Sequence, residues 1–235
     1  SLDHMLNYRM HKNILIIGYG DIGSRLKSYL DNCNISLYTL SRSAVEQDNV
    51  FSYQWDWLSE KLFDLNDIYF DSIIIIPKPS ERNEDGYVDG FIKSVSNIEK
   101  SLALTRYKKI IAISSTRIYG ADQIGILNEE IIPIPSDYRG AIIEEYEELL
   151  KSLFRSKLTI LRFSGLYDEK SIKQPFNKLH RNNAAKAIKF FIDADDESLD
   201  PNTFNCSEDM NLILSERCID NSKLKSFGLL FEQFT

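Results

Sequence analysis

The 235-residue sequence predicts an α/β protein with a doubly wound parallel sheet and a small C-terminal lobe. Two observations predict it. Short runs dense in aliphatic and β-branched residues recur along the chain, continuous rather than alternating, as in strands covered on both faces. Segments of helical periodicity separate these runs, and crossovers of that length join parallel neighbours.

The first run covers residues 14–17 and leads into a helical pattern over 21–32. Runs at 35–40, 73–76, 109–113 and 158–163 supply further strands, and residues 50–55 add a short one. Helical patterns span roughly 86–106 and 138–156. In the second, Ile142, Ile143, Tyr146, Leu149, Leu150 and Leu153 fall on one stripe. Glu144, Glu145, Glu147 and Glu148 read as that helix's exposed face. Beyond Gly165 the chain is polar and irregular over 166–183, then helical over 184–193.

Composition narrows the function. A net charge of −7, without a long Lys/Arg run, argues against a nucleic-acid partner. No apolar stretch approaches the ~20 residues that span a bilayer, and no signal-peptide pattern opens the chain. The leader Ser1-Leu2-Asp3-His4-Met5 reads as a remnant of expression. Cys33, Cys206 and Cys218 form neither a disulfide framework nor a zinc pattern, which suits a reducing cytoplasm. His11 and His180 stand far apart, so no metal site is expected. No G-x-S-x-G elbow occurs.

The most informative motif follows the first strand. Asn13-Ile14-Leu15-Ile16-Ile17 runs into Gly18-Tyr19-Gly20-Asp21-Ile22-Gly23, a G-x-G-x-x-G between strand and helix. Gly18 suits the tight turn and Gly20 close approach of a pyrophosphate. Gly23 suits helix–strand packing, and the helix N-terminus faces the anion. This is the form of a Rossmann-type dinucleotide site. The expected division is therefore a dinucleotide-binding domain over 11–165 and a substrate-side lobe over 166–235, packed on the same domain.

At the end of the second strand NAD sites usually place an acid. Here Ser41-Arg42-Ser43 stands instead. Arg42 matches a 2′-phosphate bidentately, with Ser41 and Ser43 helping, which favours NADP and leaves NAD open. The alternative is a solvated loop arginine. Asp56 is placed either to bind an adenine amine or to cap a turn before Leu58. Asp21, Ile22, Pro77 and Ser114 complete the expected cofactor contacts.

Further on come Ser114-Ser115-Thr116-Arg117-Ile118-Tyr119-Gly120, then Tyr138-Arg139-Gly140, then Leu161-Arg162-Phe163-Ser164-Gly165-Leu166-Tyr167. In this order the motifs resemble the extended short-chain dehydrogenase/reductases, the epimerase/dehydratases that act on nucleotide sugars. The resemblance covers roughly residues 12–206. It implies hydride transfer between a substrate carbon and nicotinamide. It also implies Thr116 or Ser115 as hydroxyl donor, Tyr138 as acid/base, and a small-molecule substrate of the nucleotide-sugar class. It implies a monomer or homodimer, the latter through the 138–156 helix. Tyr119 is expected near the nicotinamide or as a loop-shaping residue. Arg162 is expected either on a substrate phosphate or paired with an acid under the sheet.

The chain departs from this pattern in three places. Ile142 stands where the family has Lys, and only about 0.1% of an unassisted tyrosine is phenolate at pH 7. Asp89 stands for an Asn, and Asn183 for an Asp. These departures point to the atypical branch, and to a non-catalytic NADP(H) sensor or scaffold as the rival reading. Lys170, Lys173, Lys178, His180 and Arg181 make a basic stretch, either a diphosphate contact or a solvated face.

Overall fold

The computed structural model describes residues 11–31, 33–171, 174–194, 202–213 and 215–234. The first half builds a βα frame. Strand β1 (Lys12–Ile17) feeds helix α1 (Asp21–Leu30), followed by β2 (Ile35–Ser41), β3 (Val50–Gln54) and β4 (Tyr69–Ile75). A helical layer then runs through α2 (Glu84–Tyr87), a π-helical segment (Val88–Lys93) and α3 (Ser94–Leu102). Next come β5 (Arg106–Ser115), β6 (Gly125–Leu127), α4 (Tyr138–Phe154), β7 (Leu158–Phe163), β8 (Gly165–Tyr167) and β9 (Lys178–His180). The chain ends with α5 (Arg181–Asp193), β10 (Asn202–Cys206), β11 (Arg217–Ile219) and α6 (Ser222–Ser226).

Seven strands form one parallel sheet in the order β10-β7-β5-β4-β1-β2-β3. The order reverses between β1 and β4, which makes their C-terminal ends the topological switch point. The continuous aliphatic runs explain the two-sided burial. Leu15, Ile17, Ile73, Ile75, Ile110 and Ile160 face one core. Ile14, Ile16, Ile74, Ile111 and Leu161 face the other. Each such burial contributes about 1.5–3 kcal/mol relative to exposure.

Residues beyond 165 do not sit apart as a lobe. Helix α5 packs beside α1 on one face, and β10 extends the main sheet next to β7. Its sequence, Asn202-Thr203-Phe204-Asn205-Cys206, is too polar to announce a covered strand, yet Phe204, Asn205 and Cys206 are buried. The two small parallel pairs, β6 with β11 and β8 with β9, lie beyond the β5 and β7 ends. No helix among the described residues is long and apolar enough to cross a membrane.

Candidate active site

The glycine loop turns at Gly18, whose φ of +94° lies in the left-handed region. A Cβ there would overlap the Ile76 carbonyl oxygen. Gly20 precedes α1 with extended φ, and no side chain caps the helix. A Cβ on Gly20 would meet no atom within 4 Å, so this stretch of backbone lies open. Gly23 differs from expectation. Its Cβ would come within 2.8 Å of the Tyr19 ring, so the third glycine makes room for Tyr19 rather than for the strand. The Tyr19 hydroxyl in turn donates to Gln47 Oε1.

Over this loop lies a cleft of about 730 Å³ at the switch point. Its walls are residues 17–23, the β2 end with Ser41, Arg42 and Ser43, both tryptophans Trp55 and Trp57, and Ile76, Pro77, Lys78, Leu166 and Arg181. Three of these carry positive charge. Arg42 and Lys78 form no ion pair among the described residues. Arg181 lies between Asp21 at 3.3 Å and Asp168 at 3.7 Å. Asp21 also pairs with Arg25 at 2.9 Å. The Ser41 hydroxyl donates to the Ser43 carbonyl, which fixes the turn that presents Arg42. Asp56 does not line the cleft: its Oδ1 accepts from the Leu58 amide at 2.9 Å, the turn-capping alternative. Trp57, next in sequence, takes the place in the wall.

A second cavity of about 690 Å³ shares Ile22, Ile76, Pro77 and Leu166 with the first. Its polar lining includes Ser114, Ser115, Thr116, Ser164, Asn177 and Arg217. Ser115 Oγ accepts from the Arg117 amide and starts a 3₁₀ turn over Thr116–Ile118. Ser164 Oγ is buried and has no hydrogen-bond partner. The Arg217 guanidinium donates to the Tyr119 and Thr116 carbonyls at 3.0 and 3.2 Å. Burial pulls its pKa below the ordinary arginine value.

Behind this wall runs a buried network. Ser114 Oγ donates to Glu147 Oε2 at 2.6 Å, and Arg162 grips the same carboxylate with Nε at 3.0 Å and Nη2 at 2.7 Å. Arg162 Nη1 donates to the Tyr119 hydroxyl, which lies within reach of the Asn128 carbonyl and Asn205 Oδ1. Burial works against the Arg162 charge, but Glu147 and Tyr119 outweigh it and hold the pKa above its usual value. Burial likewise raises that of Tyr119.

The structure chooses between the alternatives for Arg162 and Tyr119 and corrects the expectation for Glu147. Arg162 takes the alternative of an acid under the sheet, and its side chain is 4% exposed, out of reach of a substrate phosphate. Tyr119 touches the second cavity with its ring, while its hydroxyl serves the network inside. Glu147, expected on the exposed face, is 1% exposed.

Tyr138 opens α4, whose cap is Asp137 accepting from the Gly140 amide. Ser136 and Asp137 line the second cavity, but Tyr138 stands just outside it, its ring edge-on to Tyr87 at 5.7 Å. Its hydroxyl accepts from Arg139 Nε at 3.3 Å. Ile142 is buried in the apolar core. The cation beside the Tyr138 hydroxyl is Arg139, and position 142 contributes none. The basic stretch is dispersed: Arg181 alone among its described members lines the first cleft, and Lys173 lies outside the described residues. His180 is buried at the start of α5, where Nδ1 accepts from the Asn182 amide. Among the described residues no His/Cys/Asp/Glu group is arranged to hold a metal.

The same fold recurs in solved enzymes. A UDP-N-acetylglucosamine 4-epimerase from Methanobrevibacter ruminantium matches 95% of this chain and 94% of its own, with a TM-score of 0.76 at 15% identity. A glucuronic acid dehydrogenase from Chromohalobacter salexigens matches 95% and 85%, with a TM-score of 0.75 at 16% identity. A UDP-glucuronic acid 4-epimerase from Bacillus cereus, solved with NAD, matches 91% and 89%, with a TM-score of 0.72 at 15% identity. The chain shares its fold with these three enzymes. Among curated sequences, Protein YeeZ of Escherichia coli K12 is 26% identical over an alignment of 166 residues that covers 66% of this chain. The aligned residues span 59% of that relative's length. No family model matches the chain.

Proposed function

We propose that the chain binds NADP(H) in the first cleft and carries out hydride transfer at a hydroxyl or carbonyl carbon of a sugar-nucleotide-like substrate in the second. The observation that carries this reading is the shared wall of the two cavities, which brings two ligands edge to edge at Ile22, Ile76, Pro77 and Leu166. The residues fit a dinucleotide. Gly20 leaves open a cradle that any side chain would fill, the uncapped start of α1 presents amides, and Arg42 and Lys78 are charges without partners among the described residues. Arg42 takes the 2′-phosphate, and this supports NADP over the NAD named for the Bacillus cereus neighbour.

Bound there, nicotinamide supplies a hydride donor or acceptor. Ser115 and Thr116 orient the substrate oxygen from the cavity wall. Tyr138 moves the proton after turning its hydroxyl past Asp137, and Arg139 stabilises its phenolate. Substrate-dependent NADPH absorbance is the assay. Tyr138→Phe lowers the rate at least about a hundredfold if the tyrosine handles the proton; an undiminished rate overturns that role. The second reading, an NADP(H)-binding sensor without turnover, is favoured by the position of Tyr138 outside the cavity and by Ile142 in the core. Binding of NADP⁺ and NADPH, with no nucleotide sugar or its keto form tested forming NADPH or consuming it, would select it.

A further inference from the structure

The phosphate end of the first cleft carries a cation from the far end of the chain. Arg181, the first residue of α5, lines the cleft together with Gly20 and Asp21, although 160 residues separate it from Asp21. Its Nη1 stands 3.3 Å from Asp21 Oδ2 and its Nε 3.7 Å from Asp168 Oδ2. Arg25 grips the same Asp21 oxygen more closely, with Nε at 2.9 Å. It also reaches Asp168 with Nη2 at 3.6 Å and donates from Nη1 to Asn182 Oδ1 at 2.8 Å. Two arginines and two carboxylates thus bracket the start of α1. Arg25 is the one the cluster grips. Arg181 has the longer contacts, is the more exposed of the two, and makes no hydrogen bond through Nη2 among the described residues. Asp168 stays charged, because the Lys170 amide donates to it at 2.9 Å and holds its carboxyl below the usual range. Exposed pairs of this length contribute little, whereas a guanidinium meeting a phosphate makes charge-assisted, bidentate hydrogen bonds.

We infer that Arg181 donates to the dinucleotide's pyrophosphate from the C-terminal side of the cleft, and that Asp21 and Asp168 aim its guanidinium there. The inference rests on the dinucleotide reading above and goes beyond it, because it gives the pyrophosphate a side-chain partner outside the glycine motif. Asp21 directly follows Gly20, so a guanidinium on Asp21 stands one residue from the open backbone of the loop. The other two cations of the cleft lie elsewhere, Arg42 at the β2 end and Lys78 beyond β4. An uncompensated Asp21 would repel a pyrophosphate at this point. Arg25 keeps its own grip on Asp21 when Arg181 turns to the phosphate, so the carboxylate is not left bare.

The experiment is a calorimetric titration of the full chain, of Arg181→Ala and of Arg181→Lys. NADPH, NADH and 2′-AMP are the probes, the last read by displacement of NADPH; it carries the 2′-phosphate and lacks the pyrophosphate. Arg181→Ala is expected to weaken NADPH and NADH alike, about tenfold, and to leave 2′-AMP within about twofold. It also flattens the salt dependence of NADH binding, since one screened contact is gone. Arg181→Lys keeps the charge without the fork and recovers part of the loss. Arg42→Ala, by contrast, acts on NADPH and not on NADH. Three results overturn the inference while leaving the dinucleotide site standing. The first is Arg181→Ala binding both dinucleotides as tightly as the parent, which would mean that the arginine only pairs its acids. The second is 2′-AMP weakened as much as NADPH, which would mean a disturbance of the whole cleft. The third is an unchanged salt dependence for NADH. If the parent binds neither dinucleotide, the dinucleotide reading falls and the inference with it.

Discussion

At the scale of single residues, the molecule's most committed group is Glu147. It joins Ser114 on β5 to Arg162 on β7, with both partners buried. A buried pair adds little net stability over an apolar pair, yet removing one member leaves an uncompensated charge. Glu147→Ala is therefore expected to destabilise by about 3–5 kcal/mol in urea unfolding. A double Glu147→Leu, Arg162→Leu variant should recover much of that loss, and a single variant within about 0.5 kcal/mol of the parent would contradict the pairing. The sequence showed Glu147 only as one of four nearby acids on a helix, because a carboxylate's partner lies on another strand and leaves no local trace. Arg162 was legible as an alternative, since Leu-Arg-x-x-Gly ends a strand and its charge had to go somewhere. Trp57 was not singled out, although the motif drew the eye to Asp56 beside it.

At the scale of elements, the residues that lead into helix α4, Ser136 and Asp137, line the second cavity. Asp137 caps the helix and also pairs with Arg117 at 3.4 Å. The exposed ion pair contributes little, so the cap dominates. Asp137→Ala should lower stability by about 1 kcal/mol, read as a shift in thermal midpoint, and Asp137→Ser should restore most of it. Equal loss in both variants would argue against capping. The strands of the first half were visible in the sequence because buried parallel strands are continuous aliphatic runs. Strand β10 was not, since two asparagines and a threonine hide it. Asn205 belongs in the sheet because its side chain donates to the Leu127 carbonyl and its backbone amide donates to the Glu129 carboxylate. Helix α5 was foreseen, but its packing against α1, which ties the C-terminal segment to the glycine loop, is a tertiary fact that periodicity does not encode.

At the scale of the whole molecule, buried acids of high pKa set the alkaline limit. Burial raises the pKa of Cys206 and Tyr146, and likewise that of Tyr119. In each case the folded state keeps a proton that the unfolded chain releases above its ordinary value of 9.0 for the thiol or 10.0 for a phenol. Their stabilising contribution is complete below those values and is lost as the pH rises above them. Stability is therefore expected to be flat up to about pH 9 and to fall steeply beyond it. Cys206→Ala should flatten the onset, and an unchanged slope in that variant would exclude the thiol from the effect. The same burial protects Cys206 and Cys218 from thiol reagents, leaving Cys33 as the first to label in the native protein.

Everything proposed for the site depends on the cleft over Gly18-Tyr19-Gly20 holding a dinucleotide whose 2′-phosphate meets Arg42. Calorimetric titration of the parent chain and of Arg42→Ala with NADPH and NADH tests it most directly. The parent is expected to bind NADPH about tenfold or more tightly than NADH, and Arg42→Ala to lose this preference while still binding both. Heat from neither nucleotide, or NADH bound more tightly than NADPH by the parent, would contradict it.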